Sequence, residues 1–409
     1  MQNTLKTFPD KEALLKNLPE GSPVVREVNA HFHTPFSFSA FDSLEQVFTM
    51  ARSEKIDVLG INDFYVTDGY EDFHNLADTN RIFPMFNIEF IGLLKDQQEA
   101  GNRVNDPNNP GRTYFCGKGL DYPFRLDEPY RSQLNDLIKE SQRQVREMVD
   151  KTNAHFQKTG LPFHLNFDEL KKNYARDLVR ERHIAKAIRF LVYERSSLDE
   201  ERKDMFKSLF GGIKLASPLE DVAAVENEIR GNLLKSGGAA FVEEDEKSFL
   251  LIDQVKDIIT NAGGIPCYPT LLDNAKGEFT EFEADKAFLY DALTKRGIFC
   301  LELIPGRNNH AILKDFVEWF NSKGFVITFG TEHNTPKLDP LKVTAGGSAE
   351  LDDNLKRIAY EGACVVAAHQ YYRTKGETGY ISAEGLPRVS EKDHFIKLGR
   401  AVIEHFINR

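Results

Sequence analysis

In the stretch NAHFHTPFSF, residues 29–38, His31 and His33 flank a single phenylalanine. Along a strand, residues i and i+2 project from the same face, so this spacing aims two imidazoles at one point. Other chemistry-bearing residues fall at comparable places. LGINDF ends near Asp63, FNIEF carries Glu89, IPCYP delivers Tyr268, IFCLELI delivers Glu302, and FVITFGTEHN delivers Glu332, His333 and Asn334. Imidazole combined with carboxylate suits zinc, manganese or iron better than calcium or magnesium. Such residues meet only if the segments that carry them end on one rim.

The hydrophobic patterning provides such segments. SLEQVFTMARSEK (43–55) opens with a Ser43/Gln46 capping box and sets Leu44, Val47, Phe48 and Ala51 on one helical face. IDVLGI and RIFPMFNIEF then read as buried strands. The alternation returns after residue 250. Helices in LIDQVKDIITNAGG, EADKAFLYDALTKRG and AILKDFVEWFNSKG precede the strands IPCYP, IFCLELI and FVITFG. Helix and strand in turn imply an α/β protein with a parallel sheet or barrel, whose strand carboxyl ends share a rim. Residues 101–250 break the rhythm: after the loop NDPNNPGR comes an amphipathic helix (132–156) with Leu134, Ile138, Val145, Met148 and Phe156 on one side, then further helical segments. Two more helical patterns, 350–374 and 390–408, close the chain.

Composition limits the function classes. The net charge of −11 argues against an extended nucleic-acid footprint, and nothing approaches the roughly 18 consecutive apolar residues of a membrane span. The first residues lack the apolar core of a secretory signal, and the four cysteines show no C-x-x-C pairing, so a cytoplasmic enzyme with reduced thiols is expected. The oligomeric state is open. His164 and His369 are read as structural.

Six segments, in order, carry a family resemblance. NAHFHTPFSF resembles the opening motif of the PHP (polymerase and histidinol phosphatase) family. LGINDF is similar to its T-D-H motif and FNIEF to its glycine-x-glutamate strand. VRERHIAKAI is similar to R-P-H-I-A, ITNAGGIPCYP to A-G-G-x-x-x-x-A-H-P, and FGTEHN to G-S-D-x-H, as found in small bacterial PHP phosphoesterases. The resemblance spans about residues 28–335 and implies a distorted (βα)7 TIM-like barrel, residues 22–100 with 251–409, interrupted by a helical insertion or cap at 101–250. It also implies a first metal held by His31, His33, Glu89 and Glu332, and a second shared by Glu89 with His183. The family's remaining histidines are replaced by Phe64, Tyr268 and Asn334. A third site is therefore not expected: one firmly bound zinc, manganese or iron ion is expected, and two at most.

The chemistry that follows is hydrolysis of a small phosphorylated metabolite or nucleotide by metal-activated water. Glu89 would bridge metals, Asp63 would orient a ligand, and His333 would serve if the last loop shifts by one residue. Arg307, in PGRNNH, is the candidate phosphate clamp, with Tyr268 and Asn334 facing substrate. The alternatives are a metal-dependent hydrolase or lyase of a non-phosphate substrate, and a binding protein whose catalysis has decayed.

Overall fold

The computed structural model describes residues 3–18, 24–274, 277–382 and 384–409; the expected barrel boundary at residue 22 lies outside them. Eight strands form one sheet: β1 (Val28–Phe32), β2 (Val58–Phe64), β3 (Phe83–Leu93), β4 (Arg112–Lys118), β5 (Leu250–Leu251), β6 (Ile265–Thr270), β7 (Cys300–Leu303) and β8 (Val326–Phe329). Seven run side by side in the order β1-β2-β3-β4-β6-β7-β8, and the short β5 adds to the far end of β3. The ring closes just past β8, where Phe32 pairs with Glu332 and the His33 amide donates to the Glu332 carbonyl at 2.8 Å. The protein is thus an α/β, TIM-like barrel of seven strands.

Its distortion lies in β4, which runs antiparallel to both β3 and β6. This strand falls inside the stretch 101–250 that the patterning marks as helical. Its seven residues, RTYFCGK, are charged at both ends and buried on both faces over Phe115–Lys118, so no apolar–polar alternation stands out. Because β4 covers only Ile88–Leu93 of β3, the earlier half of that edge needs other partners. Gln370 supplies them: its side-chain oxygen accepts from the Phe86 amide at 3.1 Å, and its nitrogen donates to the Pro84 carbonyl at 3.0 Å. A side-chain amide thereby replaces a missing strand.

The local readings hold elsewhere. Ser43 caps the helix Leu44–Ser53, which buries Leu44, Val47, Phe48 and Ala51. The helix Tyr130–Thr159 buries Leu134 and Leu137 against the barrel core and Val145, Met148 and Phe156 in a separate core formed wholly by residues 145–242. Among the described residues no helix is long and apolar enough to cross a membrane.

The C-terminal helices, Asp353–Thr374 and Lys392–Asn408, pack against the barrel's inner apolar residues and each other. Fifteen of the first helix's residues are buried, because it has protein on nearly all sides. His369 is structural, as expected: one ring nitrogen lies 2.5 Å from the Gly263 carbonyl and the other accepts from the Tyr380 amide. Two glycines permit the close approach. A Cβ on Gly362 would lie 1.9 Å from the Ile327 carbonyl oxygen, and one on Gly399 would lie 1.7 Å from that of Cys364. Both obstacles are backbone and cannot rotate away. Gly362→Ala should therefore lose about 2–3 kcal/mol of stability, the upper range for overpacking, as a lowered urea midpoint at unchanged slope. An unchanged midpoint would show that this helix does not seat on β8 as described.

Candidate metal centre

The two imidazoles converge as their spacing requires. His31, in β1, and His33, one residue beyond it, are 1% and 0% exposed, with their Nε2 atoms 3.3 Å apart. Glu89 reaches the same point from β3, with Oε2 3.3 Å from His33 Nε2 and 4.0 Å from His31 Nε2. Register explains its arrival: Glu89 lies opposite Phe64 on one side and Cys116 on the other. Gly330 lets the end of β8 pass, since a Cβ there would lie 2.2 Å from His31 Cβ.

A second group of residues lies beneath the rim. The Glu302 carboxylate is 2.7 Å from His31 Nδ1 and is paired on its other oxygen with the ammonium of Lys118, itself wholly buried. Lys118 also donates to Asn62 Oδ1 at 3.2 Å, and Cys116 Sγ lies 3.5 Å from Glu302 Oε2. Burial alone would raise the Glu302 pKa; Lys118 and His31 overcome it and hold the carboxyl at about 2. Burial would likewise lower Lys118, and Glu302 raises it instead. The ionised carboxylate draws the imidazole proton of His31 to Nδ1, leaving the Nε2 lone pair directed inward.

The same reasoning applies to His33. Its Nδ1 faces Ser37 Oγ at 3.5 Å, while the Ser37 hydroxyl donates to Asp63 at 2.6 Å, so the serine oxygen is free to accept. Burial holds the His33 ring neutral, at about 4. Two imidazole lone pairs and a carboxylate thus face one another out of water, and Glu89 Oε2 has no hydrogen-bond partner. The Asn62 amide nitrogen, 3.1 Å from His31 Nε2, is a single weak donor among these electron-rich atoms. This donor set fits a borderline divalent cation such as zinc or manganese.

The remaining expected residues divide. Glu332 sits at the mouth, where Arg307 pairs with it and Asn334 donates to Oε2 at 2.7 Å. Burial would raise the Glu332 carboxyl; Arg307, His31 and His33 hold it below its ordinary value. Asp63 is fully engaged beneath the loop after β1, accepting from the Thr34 amide (2.8 Å), the Thr34 hydroxyl (2.5 Å) and Ser37. Phe64 stacks on His33, with ring centroids 5.0 Å apart.

Three residues do not take their expected places. His333 turns away, because both it and Glu332 adopt left-handed backbone angles (φ 56° and 65°) that point successive side chains apart. Its Nε2 donates to the Asp339 carbonyl at 2.7 Å, and its Nδ1 pairs with the Thr331 hydroxyl at 2.8 Å. Tyr268 faces the surrounding helices and donates to the buried Glu283 at 2.7 Å. His183 accepts the Arg180 amide on Nδ1 at 2.9 Å, a helix-capping role. With that nitrogen deprotonated, the neutral ring keeps its proton on Nε2, which then has no lone pair for a metal. Accordingly His183 belongs to none of the groups of three or more His, Cys, Asp or Glu that could share a metal among the described residues; those groups are His31, His33, Glu89 and His31, Cys116, Glu302.

Lys118, Cys116, Asn62, Arg180 and Arg182 were not apparent from the sequence. Arg180 lies over Phe64 and Arg182 over Phe38, with guanidinium-to-ring distances of 4.6 and 4.9 Å. Both bring positive charge near His33. The RER spacing beside His183 was the available signal.

No family model matches the chain, and no curated protein is similar enough to align with it. Solved structures do share its fold. A Bifidobacterium adolescentis protein assigned as a metal-dependent phosphoesterase is 15% identical, with a TM-score of 0.51 over 82% of this chain and 96% of that one. An amidohydrolase from Chromobacterium violaceum, solved with sulfate and no metal, is 13% identical, with a TM-score of 0.50 over 81% and 96%.

Two measurements test the centre. Lys118→Met leaves Glu302 buried and unpaired and should lose about 3–5 kcal/mol of stability. Adding Glu302→Leu should restore most of it, yet zinc affinity should remain about 10–100-fold lower, because His31 has lost its anchor. Full affinity in the double variant would refute that role for Glu302. The second measurement is pH dependence. Burial, reinforced by Glu332 and Glu302 against the opposing His31, raises Glu89 to about 8. Without a cation Glu89 therefore keeps its proton below that pH, and metal binding must expel it. Calorimetric affinity should rise up to about tenfold per pH unit below pH 8 and flatten above. A flat profile between pH 6 and 8 would exclude Glu89 as a ligand.

Proposed function

We propose that this protein is a metal-dependent phosphoesterase, of the PHP type its motifs resemble, acting on small phosphorylated molecules. The observation that carries this reading is the juxtaposition of the His31–His33–Glu89 cluster with arginines 180, 182 and 307. His31, His33 and Glu89 would hold the cation, with Glu332 completing the set from the mouth. When bound, the cation supplies Lewis acidity toward a phosphoryl oxygen and makes water acidic enough to attack near neutral pH.

The chain's own residues supply the rest. Glu302 keeps His31 in the tautomer that can ligate, and Asp63 holds the loop carrying Thr34 and Ser37 against His33. Arg307, 45% exposed on its side chain, stands where it can exchange Glu332 for a phosphoryl group. We further propose that the helices between residues 130 and 242 act as a cap. In support, the Arg176 and Leu178 amides donate to the Pro35 and Phe36 carbonyls of the loop beside the centre. Such a cap favours small substrates over polymers.

A second reading rests on the Arg307–Glu332 pair. With that arginine already neutralised, hydrolysis of an uncharged amide or lactone is the alternative. The deciding experiment assays phosphate monoesters, nucleotides, long oligonucleotides, amides and lactones with Mn²⁺ or Zn²⁺. We expect phosphate release from small monoesters, little cleavage of long oligonucleotides, and loss of both activity and bound metal in His31→Ala/His33→Ala. Turnover of amides or lactones alone would establish the second reading, and undiminished metal content in the double variant would remove the proposed site.

A further inference from the structure

A cavity of about 260 Å³ is lined by Phe38, His183, Lys172, Arg176, Lys186 and Asp42. Its lining includes a donor that no protein group among the described residues accepts. The His183 ring is 2% exposed and packs edge-on against Phe38, with ring centroids 5.3 Å apart. Its Nδ1 is taken by the Arg180 amide, so Nε2 bears the proton and finds no protein acceptor among the described residues. The cations around it, Lys172 and Arg176 exposed and Lys186 half-buried, lack acidic partners among the described residues. Neither Lys172 nor Lys186 has an acidic partner within 4 Å among the described residues, whereas adjacent Lys171 is paired with Asp177. The Arg176 guanidinium rests over the Phe36 ring at 5.4 Å. Against these three cations the wall sets a single carboxylate, Asp42.

We infer that this cavity is a binding site for an oxyanion group, phosphate or carboxylate, of a small molecule, with His183 Nε2–H as the buried donor and Lys186, Lys172 and Arg176 as the neutralising charges. A neutral imidazole N–H surrounded by cations repels metal ions and favours anions. The volume is below the ~300–1,000 Å³ typical of drug-sized sites, which suits a charged group with a short attachment. The site gives His183 a task other than metal ligation and stands independently of the reaction proposed above. The group can belong to the substrate or to a separate effector, because the loop 34–41 is shared by the cavity and the centre.

The probes are inorganic phosphate, followed by calorimetry on the chelator-treated full chain, and selenate soaked into crystals. Binding is expected to weaken at least tenfold in Lys172→Gln/Lys186→Gln and in His183→Phe, which keeps a ring but removes the donor. Arg307→Gln, at the metal centre, should leave it unchanged. Anomalous density for selenate is expected beside His183 Nε2. Unchanged binding in Lys172→Gln/Lys186→Gln, loss in Arg307→Gln alone, or selenate confined to the metal centre would each overturn the assignment, and would do so whatever the enzyme's substrate proves to be. Once a hydrolysed substrate is known, competitive inhibition by phosphate in the parent, relieved in Lys172→Gln/Lys186→Gln, marks the substrate's own group. Noncompetitive inhibition relieved by the same variant marks an effector.

Discussion

A carboxylate buried in the floor of a barrel stays ionised only if a cation is buried with it, and the Lys118–Glu302 pair meets that condition here. Removing two charges from water is costly, and hydrophobic residues of similar volume would often be no worse for stability. What the pair adds is direction. Lys118 comes from the reversed strand β4 and Glu302 from β7, so the contact spans the barrel interior and ends on His31 Nδ1. One proton position on one imidazole is thereby fixed by the closure of the whole ring. The orientation of His31 and part of the field around Glu89 follow from it.

The sheet and the C-terminal helices depend on this arrangement in turn. Reversing β4 places Cys116 and Lys118 on the inner face, two residues apart, but exposes part of the β3 edge. Gln370 repairs that edge from the helix Asp353–Thr374, which fixes where a helix with no evident chemistry must lie. The glycines at 362 and 399 belong to the same constraint, since the first sets how closely that helix approaches β8 and the second how closely the last helix approaches that helix.

Much of this was legible in the residues. Period-two and period-3.6 patterns located the parallel strands and their helices, and the His31/His33 spacing located the centre, because each depends on local geometry alone. What escaped depends on contacts between distant segments. Lys118 looks like an ordinary charged residue at the end of a strand, and only its burial against Glu302 shows otherwise. Motif position suggested His183 as a ligand and Tyr268 as a substrate contact, but ring orientation is decided by neighbours: the Arg180 amide for one and Glu283 for the other. The direction of β4 could not be read from its residues, since parallel and antiparallel strands share the same alternation. His333 was a matter of one residue's phase, settled by two successive left-handed backbone angles.

The reversal of β4 also has a mechanical consequence. A chain leaving an ordinary barrel strand emerges at the rim that bears the site, but β4 delivers it at the opposite end, where Asp121 and Asp127 bond to Ala262 and Asn261 just before β6. The thirty-residue helix Tyr130–Thr159 starts there and, at 1.5 Å per residue, is about 45 Å long. It works as a strut, anchored against the barrel core by Leu134 and Leu137 and carrying along its later half the separate core of residues 145–242. The position of that core is therefore geared to the barrel's foot through the helix, and to its rim only through the Arg176 and Leu178 amides on Pro35 and Phe36. One residue inserted midway along the strut would turn its load by about 100° and draw Arg180 and Arg182 away from Phe64 and Phe38, with the strands that carry His31 and Glu89 unaltered in sequence.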